Sequence, residues 1–193
     1  MKNEPGRIYI ISGPSGVGKS TVLALVLAGL EKPYFSISAT TRSPRPGEKD
    51  GREYYFLSRE KFLNMIQKNE FLEYAEYVGN FYGTPKTPVL GHAAKGYDVV
   101  LDVEVRGKEQ VSARVPSAVS IFIAPPSLEA LERRLRGRGT ESDEKIAGRL
   151  RRAREEIAAS AGYDHVVVND IPERAAGEIL SIIRESGPDS ASR

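Results

Sequence analysis

The run Ile8-Tyr9-Ile10-Ile11-Ser12-Gly13-Pro14-Ser15-Gly16-Val17-Gly18-Lys19-Ser20-Thr21 constrains this chain more than any other stretch. Four apolar residues predict a short buried strand, and Val22, Leu23, Leu25, Val26, Leu27 and Leu30 continue past the glycines as a helix. Between them, Gly13-x-x-x-x-Gly18-Lys19-Ser20 has the spacing of a phosphate-binding loop, in the strand–loop–helix setting such a loop requires. Glycines let the backbone curl around a polyphosphate. N–H groups at the helix start then point at its oxygens, where the helix dipole favours negative charge. Lys19 is placed to reach the β- and γ-phosphates, and the Ser20 hydroxyl to ligate Mg2+. A glycine turn before an ordinary helix is the competing reading, and the flanking strand and helix weigh against it.

A length of 193 residues suits one domain with a sizeable core. A net charge of only +2 argues against a general affinity for nucleic acid or membrane surfaces. Without cysteine there is no disulfide framework and no thiolate metal site, which fits a cytoplasmic protein. No apolar stretch is long enough to span a bilayer, and the N-terminus carries no signal-peptide pattern. Residues 1–6 and 186–193 are polar and rich in Gly, Pro and Ser, and are expected to be mobile.

Along the chain, residues 35–39 alternate like a strand, and Asp50-Gly51 signals a tight turn into an aromatic strand. Ser58 reads as the N-cap of a helix carrying Phe62, Leu63 and Ile66, and two strands follow around a turn at Gly79-Asn80. Residues 38–91 therefore read as strands and turns inserted into an alternating core. That core resumes with a strand over 97–104, a helix over 107–114, a strand over 118–124 and a helix over 128–136 capped by Ser127. A helix over 141–160, a buried strand over 165–168 and a closing helix over 172–184 complete it. Strands alternating with helices predict a parallel sheet covered on both faces.

Several polar sets carry candidate chemistry. Asp102 and Glu104 follow a hydrophobic strand, at the edge where open α/β sheets hold ligands, and period two puts both on one side. One can hold the water shell of Mg2+ and the other accept hydrogen bonds from a base; a solvated pair is the bland alternative. Arg42, Arg45, Tyr54 and Tyr82 suit a phosphate, since arginine clamps it bidentately and a tyrosine hydroxyl adds a directed donor. Glu73 lies in an apolar strand, where alternation alone makes it outward and solvated; the rival reading is an acceptor facing a base. Most arginines between 133 and 154 belong to a solvated helical surface, but Arg138 is flanked by glycines, as on a moving lid. Interleaved acids dilute any nucleic-acid patch there.

Taken together, Gly13-Pro14-Ser15-Gly16-Val17-Gly18-Lys19-Ser20-Thr21, Ser38-x-Thr40-Thr41-Arg42-x-Pro44-Arg45-x-Gly47-Glu48, Asp50-Gly51-x-x-Tyr54, Glu70-Phe71-Leu72-Glu73 and Tyr82-Gly83-Thr84 resemble guanylate kinase. So do Leu101-Asp102-x-Glu104-x-x-Gly107, Leu135-x-Gly137-Arg138-Gly139-Thr140 and Val168-Asn169-Asp170, and the resemblance covers about residues 7–185. It implies an α/β fold of P-loop NTPase type. A parallel sheet covered on both faces would carry a small mixed β insertion and a helical lid, as one domain over 1–193. Core segments would be about 7–37, 92–127 and 160–185, with a GMP-binding region at 38–91 and the lid at 128–159. The implied reaction is ATP-dependent phosphorylation of GMP with Mg2+. Ser38, Glu73, Thr84 and Glu104 would read guanine, while Arg42, Arg45, Tyr54 and Tyr82 hold the GMP phosphate. Lys19 with Arg134, Arg138 and Arg149 would serve the transferring phosphate, Ser20 and Asp102 the metal, and Asn169 the adenine side of ATP. Guanine offers a ring N–H and an amino group, so acidic acceptors suit it, whereas adenine would leave a carboxylate unpaired. Thr84 and Glu104 stand where Ser and Asp are frequent, keeping the hydroxyl and the charge. A non-catalytic interaction domain is a rival, opposed by the intact phosphate loop; a kinase of ribose bisphosphates is another. The sequence leaves monomer and homodimer open.

Overall fold

The computed structural model describes residues 5–137 and 142–186. Most of both chain ends expected to be mobile, and Arg138, lie outside the described residues. Five parallel strands form the central sheet: β1 (Ile8–Ser12), β2 (Pro33–Phe35), β7 (Asp98–Asp102), β8 (Val119–Ala124) and β9 (His165–Val168), in the order β2-β7-β1-β8-β9. β1 is buried throughout, and its period-two alternation sends successive residues to opposite faces. Tyr9 and Ile11 join a core with α1 (Lys19–Gly29) and α7 (Pro172–Glu185), built on Val22, Val26, Ala175 and Ile179. Ile8 and Ile10 face the other way, into a core with Val89 of α3 (Lys86–Ala93) and Val111 of α4 (Val105–Arg114). Helices thus cover both faces, as a near-continuously apolar parallel strand demands.

The second sheet is mixed and runs β4-β3-β6-β5, from β3 (Ala39–Thr40), β4 (Tyr55–Phe56), β5 (Phe71–Tyr77) and β6 (Asn80–Pro85). Stacked Phe62, Phe71 and Phe81 form its small core with α2 (Arg59–Gln67). The helices α2, α5 (Leu128–Arg136) and α6 (Asp143–Ala158) each begin at a serine whose hydroxyl accepts from a backbone N–H of the first turn, at Ser58, Ser127 and Ser142 respectively. Leu131 and Leu135 of α5 pack on Ile146 and Ala153 of α6 as a separate cluster.

Five sequence expectations are corrected. The strand expected over 35–39 is two strands in two sheets, because the chain leaves the edge of the first sheet after Phe35 and joins the second at Ala39. Residues 86–91, read within the strands and turns of 38–91, belong to α3: Pro88 falls in the first helical turn, where a missing N–H costs no intrahelical bond. The hairpin turns at Val78-Gly79, one residue earlier than expected, with both at positive φ of 49° and 74°. β9, expected to be buried, is an edge strand whose Val166 and Val168 are 45% and 44% exposed. β7 stops at Asp102, so Glu104 is not a strand residue but the N-cap position of α4.

Candidate active site

The phosphate loop joins β1 to α1 at the C-terminal edge of the central sheet, next to β7 and β8. Gly16 and Gly18 hold φ of 92° and 93°, and a Cβ on Gly16 would meet Leu135 Cδ2 at 2.6 Å. A cavity of about 720 Å3 opens above the loop. Its lining includes Gly13, Pro14, Ser15, Gly16, Gly18, Lys19, Ser20 and Thr21, with Arg149 on the α6 side. Val17 is buried beneath, and its carbonyl accepts from Arg134 Nη1 at 2.9 Å and from Asn169 Nδ2 at 2.7 Å. Arg134 Nη2 also donates to the Asn169 carbonyl at 2.9 Å. Arg134 and Asn169 therefore brace the loop from behind, and neither lines the cavity. Arg149 does, donating from Nη2 to Ser15 Oγ at 2.7 Å.

A second cavity, of about 950 Å3, lies between the two sheets and is lined by Ser38, Tyr54, Glu73, Tyr82, Asp102 and Glu104 among others. The two cavities share a wall made by Tyr77, Glu104, Val105, Arg152 and Glu156. Lys19 Nζ reaches across to Asp102 Oδ1 at 2.6 Å. Glu104 is held by Arg152, Nη2 to Oε2 at 2.8 Å, and Arg152 also donates to Glu156 at 3.1 Å.

Glu73 is not the outward residue that alternation predicts. β5 and β6 shift register between Phe71 and Glu73, so Leu72 is an extra residue whose side chain enters the central-sheet core. The bulge turns Glu73 back into the cavity, over Gly107, where a Cβ would stand 3.0 Å from Glu73 Oε2. Thr84, 1% exposed and directly opposite across the strands, donates its hydroxyl to Glu73 Oε1 at 2.6 Å. Burial pushes the Glu73 carboxyl above the usual glutamate range. The Thr84 bonds pull it back, Glu104 adds to the rise and Arg114 opposes it.

At the far end, Arg42 spreads its guanidinium toward the ring of Tyr54, 5.5 Å from the centroid, and Tyr54 meets Tyr82 edge to face. Glu48 grips Arg42 in a two-pronged bond, 2.9 Å on each arm, and takes the Arg45 N–H at 2.7 Å. The Arg42 hydrogen bond in turn holds the Glu48 carboxyl below its ordinary range. Arg45 itself is exposed, and like Arg42 and Thr84 it stands outside the cavity lining, which Tyr54, Tyr82 and Glu73 reach. Glu48 stands in the same local motif as Arg42, yet the sequence assigns it no role, and Arg152 reads there only as helix surface, its partner Glu104 lying 48 residues away.

A phosphate loop at the edge of a parallel sheet, sharing a wall with a second cavity that Glu73, Asp102 and Glu104 line, is the architecture of a P-loop nucleotide-binding protein with space for a second ligand. Comparison with known proteins makes the class specific. The guanylate kinase family model matches residues 5–186. A guanylate kinase of Synechococcus sp. is 47% identical over 183 residues, covering 95% of this chain and 84% of its own length. One from Gloeobacter violaceus is 51% identical over 183 residues, with 95% and 89% covered. The crystal structure of guanylate kinase from Anaplasma phagocytophilum matches with a TM-score of 0.72 at 36% identity, covering 95% of this chain and 87% of that one. The chain belongs to the guanylate kinase family and is an enzyme that phosphorylates GMP with ATP.

Proposed function

We propose that the loop cavity holds the ATP polyphosphate and the second cavity holds GMP, with the γ-phosphoryl passing in line across their shared wall. The observation that carries this reading is that wall: Glu104, Val105 and Arg152 border both spaces, so two bound nucleotides meet there. Backbone amides at the start of α1 and Lys19 grip the donor phosphates, and Lys19 exchanges its Asp102 partner for them. Arg149, already on the loop side, adds positive charge where negative charge develops during transfer. Arg138 is assigned the same task from the lid. Arg42, Tyr54 and Tyr82 take the GMP phosphate, with Arg45 joining from the exposed loop. Ser38, Glu73, Thr84 and Glu104 form the guanine end, where an ionised Glu73 accepts from the ring N–H and the amino group. The protein supplies position and charge rather than a covalent intermediate. dGMP is an expected second acceptor.

Mg2+ fits this site. Among the described residues no cluster of three or more His, Cys, Asp or Glu is arranged to hold a metal. Mg2+ takes only one or two protein groups when substrate phosphates and water complete its shell. Ser20 in the loop cavity and Asp102, through water, are the residues that would hold it. When bound it neutralises phosphate charge.

The whole chain, 1–193, works as one guanylate-kinase-like domain of core, GMP-binding region and lid. Lid and GMP region close to exclude water, because an open site would hydrolyse ATP. The substrates and the absence of cysteine suit the cytoplasm. No helix of the described residues is long and apolar enough to cross a membrane. An assay of ADP release with GMP, dGMP, AMP or UMP as acceptor, with and without a magnesium chelator, tests the reading. Turnover with GMP and dGMP that stops on chelation is expected; equal turnover with AMP would overturn the guanine assignment.

A further inference from the structure

Glu73 lies on β5, and β5 is the edge of the mixed sheet, so one side of the strand has no partner strand. That side is met by α4. The Gln110 side-chain amide pairs with both backbone groups of Tyr74: Oε1 accepts its N–H at 3.3 Å and Nε2 donates to its carbonyl at 3.0 Å. One turn later, Arg114 Nη1 donates to the Leu72 carbonyl at 2.9 Å and to the Gln110 carbonyl at 3.3 Å. The residues on both sides of Glu73 are thus held, including the extra residue of the bulge that turns its carboxylate inward. The same helix begins at Glu104 and carries Gly107, the seat over which Glu73 leans.

We infer that Gln110 and Arg114 are positioning residues for guanine selection, fixing the β5 backbone around Glu73 so that its carboxylate faces the purine. This rests on the assignment of Glu73 to guanine made above. α4 follows β7 directly, so the two side chains register a carboxylate of the mixed sheet against the central sheet that holds the phosphate loop. A shift of about 1 Å in such a group is enough to cost up to about a hundredfold in rate. Both side chains spend these hydrogen bonds on the β5 backbone, so they act on GMP through Glu73 rather than by contact.

Capping an edge strand can also serve stability alone, and the experiment separates the two roles. kcat/KM is measured for GMP and for inosine monophosphate, which lacks the amino group, in wild type, Gln110→Met, Arg114→Met and Glu73→Ala. Gln110→Met and Arg114→Met are each expected to lower the GMP-to-inosine-monophosphate ratio about tenfold, through KM for GMP, with kcat and KM for ATP held within about twofold. A fall in Tm with an unchanged ratio in both variants would overturn the inference and leave only edge capping. If Glu73→Ala lowers the ratio and the two variants do not, the positioning role fails while the Glu73 assignment stands. If Glu73→Ala also leaves it unchanged, both fall together. Should Gln110→Met not fold, Gln110→Glu keeps the size and removes the donor, and is held to the same outcome.

Discussion

Thr84→Val removes one hydroxyl and nothing else of consequence, because valine keeps the shape and Thr84 is almost fully buried. The hydroxyl donates to Glu73 Oε1 at 2.6 Å. A hydrogen bond to a charged acceptor contributes about 1.5–3 kcal/mol, which in a chain of this size corresponds to a Tm lower by about 3–12 °C. The bond favours the ionised carboxylate, so its loss raises the Glu73 pKa further above the ordinary glutamate range. The sign of the pH dependence follows. The stability deficit of Thr84→Val is full where Glu73 is ionised in both proteins, and it shrinks as pH falls from the variant's higher pKa through the wild-type folded-state pKa, since a protonated carboxyl gains less from the bond. GMP needs the ionised form, so the acidic limb of GMP affinity moves to higher pH in the variant. Thermal unfolding and calorimetric GMP titrations across a pH series measure both effects. A Tm deficit independent of pH, together with an unmoved acidic limb, would refute the coupling of Thr84 to an ionised Glu73.

Glu73→Gln tests the desolvation directly. Burial raises the folded-state pKa, so the ionised group lowers stability once pH rises through that value, and removing the charge should raise Tm at neutral pH but not in acid. The same variant should bind GMP more weakly, because an amide turns a donor toward a donor; a neutral-pH Tm below wild type would contradict it. Glu48→Gln weakens the two-pronged hold on Arg42. KM for GMP should rise, by less than in Arg42→Ala, with KM for ATP unchanged; steady-state kinetics with each substrate varied in turn decide this.

How far the sequence reaches is clear from particular residues. The strand, loop and helix over 8–29 and the caps at Ser58 and Ser127 were legible, because each is a local pattern with a local cause; the cap at Ser142 was not, since the sequence reading starts that helix at 141. Most of the alternating core was legible for the same reason. Glu73 was misleading, because a one-residue bulge reverses the side a strand residue faces, and nothing in Phe71-Leu72-Glu73 announces it. α3 hid behind Pro88 and Gly91, which break a pattern in sequence but sit harmlessly in a helix with only Val89 and Ala93 buried. The Arg152–Glu104 contact at the shared wall depends on tertiary placement, which spacing along the chain does not encode, and the grip of Glu48 on Arg42 depends on how one irregular loop folds back. Arg134 reads as a lid arginine in sequence; in the structure its guanidinium is spent on the backbone of the loop it braces.

The most direct measurement is a crystal structure with GMP and ADP bound together. The account predicts the guanine edge within hydrogen-bonding distance of Glu73 and Thr84, its phosphate against Arg42, Tyr54 and Tyr82, and the ADP phosphates on the amides between Gly13 and Thr21. A purine bound away from Glu73, or a GMP phosphate seated elsewhere with the Arg42 pocket empty, would contradict it.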